Sequence, residues 1–480
     1  MRTTVIFRSL NAALLGAAVL SGCALAPTYE RPTTPQPAAF KELQGWAPAA
    51  PADALDRGPW WTLFSDPVLD GLVRQVEVSN QNVAAAVAAY SQARALVAQQ
   101  RAALFPTVTL TGGANRNGSG GGSGTNDNNS NGRTSNSFRL NIGSSWEPDV
   151  WGRLRAGVSA AQANAQASAA DLASARLSAQ GELAADYFSL RSVDAQRALL
   201  ATTIDGYQRV LKITQNRFDV GIVPHSDVYQ AQTQLASAQS DDLTLARQRA
   251  QLEHAIAVLV GKAPADFALA PAQWSATVPD VPPGVPSTLL ERRPDIAAAE
   301  RAVAAANAQI GIVRAAYFPQ IGLTASYGPS ASAIGDLFKA SSMAWALGLS
   351  ATETLFNGGA NRAAVQGADA AREQAVARYR QTVLDAFADV EDQLAATRIL
   401  AQQQDLQRLA SAAADKVEEQ VLNRYKAGQV SYSEVVQAQV TALNARRSLV
   451  QTQGSRQTTA VALIQSLGGG WHAQQLTAQE

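Results

Sequence analysis

Residues Asn216 to Gln232 read NRFDVGIVPHSDVYQAQ, and residues Asn423 to Gln439 read NRYKAGQVSYSEVVQAQ. Both begin Asn-Arg-aromatic, place a glycine five residues after the Asn, set a Ser directly before an acid, and close on Gln-Ala-Gln. Gly221 and Gly428 suit the left-handed residue that stops a helix. Ser226 with Asp227, and the run Ser431 to Glu434, suit the start of a following helix, where a hydroxyl or carboxylate satisfies free N–H groups. The stretch therefore reads as a helix-turn-helix corner that one chain builds twice.

The repeat extends outward from these corners. AALFPTVTLT (Ala102 to Thr111) aligns with AAYFPQIGLT (Ala315 to Thr324), while Arg155-Ala156 aligns with Arg362-Ala363, so the first half carries extra residues between Thr111 and Arg155. Gly112 to Ser137, almost all Gly, Asn and Ser, accounts for them and reads as a flexible loop. No Lys-Ser/Thr follows it, which excludes a phosphate-cradling loop. Each half then reads as helix, strand, loop, strand, very long helix, turn, helix. The strands alternate with period two: Val108, Leu110; Phe138, Leu140, Ile142; Ile321, Leu323, Ala325, Tyr327; Trp345, Leu347, Leu349. Residues between them are mostly small or polar, a pattern shared by strands with one face in lipid and by a half-buried sheet in a soluble protein, and the lipoprotein signal at the N-terminus tips the balance to the first.

Arg153 to Phe218 and Ala360 to Ala427 contain no proline, and helices of that length reach roughly 100 Å at 1.5 Å per residue. Val376, Tyr379, Val383, Phe387, Val390 and Leu394 recur at coiled-coil spacing, with alanines permitting close approach of neighbours. These helices are too polar to enter lipid, so they are expected to project into water.

The N-terminus carries Arg2 and Arg8, an apolar run from Leu10 to Leu20, then Leu20-Ser21-Gly22-Cys23. That is a secretory signal, too short to span a bilayer. Leu-Ser-Gly-Cys resembles a bacterial lipobox, in which Cys23 receives lipid and becomes the first mature residue. Cys23 is the single cysteine, which leaves no internal disulfide. Ala24 follows it in place of the Asp that marks inner-membrane retention in many such lipoproteins, which favours the outer membrane. Lys plus Arg and Asp plus Glu number 39 each, with no long single-sign run, so charge points to neither nucleic acid nor anionic lipid.

Four strands cannot close a barrel, and open sheet edges are not tolerated in hydrocarbon. The expectation is an α+β membrane protein with an internal duplication, a homo-oligomer whose copies share one barrel continued by paired helices. The copy number stays open on these grounds alone.

PWWTLFSDPVLDGLVRQVEVSNQNVAAA (Pro59 to Ala86), LLERRPDIAAAE (Leu289 to Glu300), the lipobox, and the Phe-Pro that opens a strand in both halves resemble the TolC-like outer-membrane efflux factors, in the NodT/OprM lipoprotein branch. The resemblance covers essentially the whole mature chain. It implies a homotrimer with a 12-stranded outer-membrane barrel, a long periplasmic α-helical coiled-coil barrel and a mixed equatorial domain. The implied function is a passive exit duct for drugs or other toxic compounds, working with a periplasmic adaptor and an inner-membrane pump of RND type. In that family the two helix-turn-helix tips form the periplasmic entrance. The resemblance makes Gly221 and Gly428, with Val220, Ile222, Ala427 and Gln429, adaptor-docking positions. It also makes Ser226, Asp227, Tyr425, Glu434 and Gln437 gate positions. Asp227 and Tyr425 match positions that bond to each other across the closed gate of the type member, and Glu434 matches the first acid of its constricting ring. Val430 stands where that member has a gate arginine, and Gln437 where it has a second ring acid.

Residues 1–22 are expected to be the signal peptide and 23–70 a lipidated N-terminal and equatorial segment. Residues 71–260 form the first repeat (strand hairpin 104–147, long helix 153–218, helix 227–260), and 261–294 an equatorial linker. The second repeat is 295–468 (strand hairpin 318–354, long helix 360–427, helix 431–467), followed by a tail, 469–480. Trp60, Trp61 and Phe64 read as an aromatic cluster packed on the helices. No catalytic or metal constellation is legible: His225, His254 and His472 lie far apart, without HExxH, CxxC or GxSxG. No cofactor is expected beyond the lipid on Cys23. His225 reads as a solvated turn residue and His254 as a packed one. The competing class is a lipid-anchored periplasmic coiled coil, structural or adhesin-like, which leaves the paired strand hairpins unexplained.

Overall fold

A computed structural model describes residues 25–35, 37–42, 59–118, 134–272, 274–279, 281 and 292–473. The signal segment and Cys23 lie outside them. The chain divides into two compact units. One comprises residues through Pro32, Ser91–Ala167 and Ala299–Tyr379; the other comprises Thr33–Tyr90, Ser168–Ala298 and Arg380 onward.

The first unit holds the sheet. Strands β1 (Thr107–Gly118), β2 (Thr134–Trp146), β3 (Gln320–Ala331) and β4 (Met343–Thr352) pair antiparallel in chain order, so the β2/β3 ladder joins the two sequence repeats. Leu110 faces Ile142, Ile142 faces Tyr327, Tyr327 faces Trp345, and Leu323 lies between Trp146 and Leu349. Directly paired residues share a face. Register therefore gathers the alternating apolar residues of all four strands onto one side, with Thr109, Asn141, Ser326 and their like on the other. Among the described residues the apolar side is largely open: Val108, Leu110, Trp345, Leu347 and Leu349 are 67% to 75% exposed.

The Gly/Asn/Ser stretch departs from its reading as loop. Residues 112–118 belong to β1 and 134–137 to β2, with Gly112 opposite Leu140 and Gly113 opposite Arg139. Ladder bonds join peptide groups, so small side chains do not prevent pairing once a partner strand is in register.

Helix lengths display the duplication. α1 (Pro67–Ser79) and α2 (Gln81–Ala102) precede the first hairpin, and α3 (Arg153–Asp219) and α4 (His225–Leu259) follow it. In the second repeat come α5 (Pro294–Arg314), α6 (Ala360–Lys426) and α7 (Tyr432–Ser466). Both α3 and α6 have 67 residues, and both α4 and α7 have 35. On α6 the expected seam is inward: Tyr379, Val383, Val390 and Leu394 are buried. His254 is exposed, contrary to its reading as packed. It precedes buried Ile256 by two positions, about 200° around the helix.

In the second unit the aromatic cluster is core. Trp60, Trp61 and Phe64 are buried with Leu183, Tyr187, Val390 and Ile464. Asp66 caps α1 by accepting from the Val68 and Leu69 amides at 2.9 and 3.1 Å, and its other oxygen accepts from the Tyr187 hydroxyl at 2.6 Å. Burial, reinforced by this hydrogen bond, pushes the Tyr187 phenol up to about 12. A buried ionic group, Arg191–Asp194–Arg249–Glu253, binds the main chain of Leu269 and Ala270 onto α3 and α4.

Both short helices end alike. Gly261 and Gly468 adopt φ +71 and +90, and each closes its helix with the paired bonds of a Schellman turn. A polar side chain from just before an earlier helix of the same repeat then takes the last carbonyl: Asn80 Nδ2 donates to Leu259 O at 2.8 Å, and Arg293 Nη1 to Ser466 O at 3.3 Å. Arg293 also forks onto Asp295 at 3.0 and 2.6 Å, which fixes the Arg-Arg-Pro-Asp segment at the start of α5. An added Cβ would lie 2.3 Å from Ser79 O at Gly261 and 2.0 Å from Arg292 O at Gly468. Gly468→Ala is therefore expected to combine left-handed strain with a backbone clash and to cost at least about 2 kcal/mol. At Gly221, where an added Cβ meets nothing within 4 Å, alanine should cost only about 1 kcal/mol. Thermal melts followed by circular dichroism compare the two, and equal shifts would exclude the clash.

Candidate functional site

The two corners lie in the second unit and share one backbone design. After α3, the Gly221 amide donates to Phe218 O and the Ile222 amide to Arg217 O, both at 2.8 Å. After α6, Gly428 donates to Tyr425 O at 2.9 Å and Gln429 to Arg424 O at 3.0 Å. Both glycines have φ +75, as the motif requires.

The restarts differ. α7 is capped by Ser431 in a capping box with Glu434, whose Oε1 accepts from the Ser431 amide at 3.5 Å. At α4 the expected caps do not form: Pro224 holds the N-cap position, no side chain caps the helix, and Ser226 and Asp227 fall inside its first turn. The proline keeps the entering chain extended, so the helix begins before either side chain reaches a capping position. Asp227 then acts on the helix through its charge near the N-terminus. His225 is not simply solvated. Its ring, though exposed, stacks between Phe218 at 4.5 Å and Tyr229 at 4.3 Å.

Tyr425 sits where the corners meet. Its buried hydroxyl lies 3.4 Å from Thr214 Oγ1, and its ring contacts Tyr432 at 5.5 Å. Within the chain it does not pair with Asp227. Val210, Ala231, Tyr425, Tyr432 and Val435 form an apolar cluster, and Val430 packs against it. Val430 is thus partly buried against a small core. Burial, aided by Tyr425, Tyr207 and Asp227, raises the Tyr432 phenol well above its ordinary value and keeps it neutral. Gln437, Glu434 and Ser226 are exposed, and Asp227 is half-buried.

The residue that composition did not single out is Arg217, the arginine of the first Asn-Arg-aromatic. Its Nη1 donates to Tyr425 O at 2.9 Å while the guanidinium lies 4.7 Å from the centre of the Tyr425 ring. One side chain thereby ties the first corner to the C-terminal turn of α6, where a cation is favoured. The repeat itself marked the position, but its exposed counterpart, Arg424, makes no such contact.

Around the glycines the surface is open. Val220 and Ile222 are 68% and 63% exposed, and Ala427, Gly428 and Gln429 are exposed beside them. Among the described residues no group of His, Cys, Asp and Glu could hold a metal ion, and no helix is long and apolar enough to cross a membrane. Upstream, the N-terminal segment runs antiparallel along α5 in the first unit. Ala26 abuts Gly311, Pro27 O accepts from Asn307 Nδ2 at 2.7 Å, and Tyr29 bonds to Glu300.

A family profile described as outer membrane efflux protein matches residues 72–262 and 285–469, one match per repeat. The chain belongs to this family. The probable efflux pump outer membrane protein TtgC of Pseudomonas putida is 31% identical over 471 residues, spanning 97% of this chain and 96% of that protein. Outer membrane protein OprJ of Pseudomonas aeruginosa is 30% identical over 96% of this chain and 95% of its own length. Among solved structures, the outer-membrane channel OprN superposes with a TM-score of 0.87 at 28% identity, covering 94% of this chain and 100% of that one. Membership makes the chain an outer-membrane efflux channel protein, and the exposed apolar sheet face accords with that location.

Arg217→Ala is expected to loosen the pairing of the two corners. Spin labels at Val220 and Gln429 should report a broader distance distribution, whereas Arg424→Ala should leave it unchanged. Identical distributions in all three proteins would deny Arg217 this role.

Proposed function

We propose that three copies of this chain close one barrel of twelve strands in the outer membrane, forming the exit duct of a tripartite pump that expels drugs or other toxic compounds. The observation that carries this is the four-stranded sheet, whose apolar face is open and whose outer strands β1 and β4 have no further strand paired to them among the described residues. Hydrocarbon covers such a face, and only neighbouring copies satisfy such edges. The long helices, too polar for lipid, continue the duct into the periplasm. An adhesin-like coiled coil would leave the apolar sheet face in water.

In this reading the duct is passive and carries out no catalysis. Selection belongs to an RND-type inner-membrane pump, coupled through a periplasmic adaptor. Cys23 carries the lipid anchor. The antiparallel run of residues 26–29 along α5 supports it, because it places Ala26 beside Gly311, near the end of α5 that leads into β3. The two corners form the closed end. Asp227, Tyr425 and Glu434, with Ser226 and Gln437, line its gate, and three copies of Asp227 and Glu434 set carboxylates around one opening, giving cation preference. Gly221 and Gly428, flanked by Val220, Ile222, Ala427 and Gln429, receive the adaptor.

Planar-bilayer recording tests the duct. Purified protein should give discrete conductance steps, and Asp227→Ala combined with Glu434→Gln should raise conductance and weaken block by multivalent cations. Absence of steps in both proteins would remove the channel reading, and unchanged currents would remove the gate assignment. Docking is tested at an exposed side chain with no strain: Ile222→Glu should abolish cross-linking to the adaptor and drug resistance in cells while trimers persist. Undiminished cross-linking would move the docking surface elsewhere.

A further inference from the structure

Above the corners, in the same unit, α3, α6 and α7 enclose a solvent-connected cavity of about 500 Å³. That is within the range of roughly 300–1,000 Å³ typical of small-molecule sites. Gln439, the last residue of the second repeated motif, lines it. The side chain is only 3% exposed, yet its Oε1 has no hydrogen-bond partner. A buried amide oxygen left without a donor costs about 1–3 kcal/mol and calls for an occupant that supplies one.

The charges on the same wall define the occupant further. Glu418 accepts from Arg446 Nη2 at 2.8 Å, and Arg446 Nε reaches Asp415 at 2.7 Å, so Arg446 is already neutralised. The Tyr207 hydroxyl accepts from Gln234 at 3.1 Å. Arg209 and Lys426, by contrast, line the cavity with no ion pair or side-chain hydrogen bond among the described residues. Leu199, Val210, Ile213 and Leu422 complete the lining with apolar surface. Two uncompensated cations, one orphan acceptor and an apolar wall converge on a single space.

We infer that this cavity binds a small amphipathic organic anion. Its carboxylate or sulfonate is held by Arg209 and Lys426, its apolar body lies against Val210, Ile213 and Leu422, and a donor group on it satisfies Gln439 Oε1. The site reaches Lys426, next to the docking flank Ala427, and does not depend on conduction.

Isothermal titration of the full-length protein in detergent micelles tests this with three probes: 6-hydroxy-2-naphthoate, 2-naphthoate and neutral 2-naphthol. The wild type should bind 6-hydroxy-2-naphthoate saturably, more tightly than 2-naphthoate, with 2-naphthol showing only micelle partition. Arg209→Gln with Lys426→Gln, both at exposed positions, should weaken the two anions at least about tenfold, as expected for loss of charge-assisted bonds. Gln439→Leu should erase the preference for the hydroxylated probe while retaining 2-naphthoate, with circular dichroism verifying the fold. Absence of saturable binding in the wild type overturns the proposal, and is the result expected if an acidic segment of a partner protein fills the space. Anion binding unchanged in the double variant overturns it equally.

Discussion

A peptide N–H or C=O left unpaired in hydrocarbon costs several kcal/mol, and the outer edges of β1 and β4 each present a row of them. This constraint organises the rest of the molecule. A sheet with one lipid-facing side and two open edges has no stable monomeric form within a bilayer, so each chain is a sector of a larger ring. Every other element must then be compatible with packing side by side around an axis, which long, narrow, alanine-rich helices with a seam such as Tyr379, Val383, Val390 and Leu394 achieve.

Duplication supplies the matching sectors economically. α3 and α6 are equal in length, as are α4 and α7, and both long helices stop at a glycine with φ +75. Backbone design is held constant while side chains diverge. Asn80 and Arg293, at equivalent positions just before α2 and α5, perform the same task with different chemistry, each binding the last carbonyl of a short helix. The corners diverge further: one restart uses a capping box and the other a proline, and only one of the two repeated arginines crosses to its neighbour.

Much of the candidate site was legible because glycine stops, acid-bearing helix starts and their repetition are local signals. The rest turned on where a helix starts, on which way a helix face points, or on a partner distant in sequence. Ser226 and Asp227 have the right composition for caps, but Pro224 moved the helix start ahead of them. Val430 packs against the apolar cluster of Tyr425 and Tyr432, and Arg217 sets its guanidinium 4.7 Å from the centre of the Tyr425 ring. His254 was placed inside by proximity to buried residues, yet its helical angle turns it outward. Gly112 and Gly113 carry no strand propensity and still pair, because β2 offers a complete ladder.

By itself the sequence determined the duplication, the period-two strands, the proline-free helices, the two glycine corners and the family, because these rest on periodicity and on residues whose backbone preferences are intrinsic. Only the tertiary structure decided which strands adjoin, which apolar residues of different strands share a face, and that Arg217, Asn80 and the Arg191–Asp194–Arg249–Glu253 group hold distant segments together. Those outcomes depend on register and on side chains that meet across tens to hundreds of residues. No local pattern encodes such meetings, since the free energy of each contact exists only once both partners have been brought to the same place.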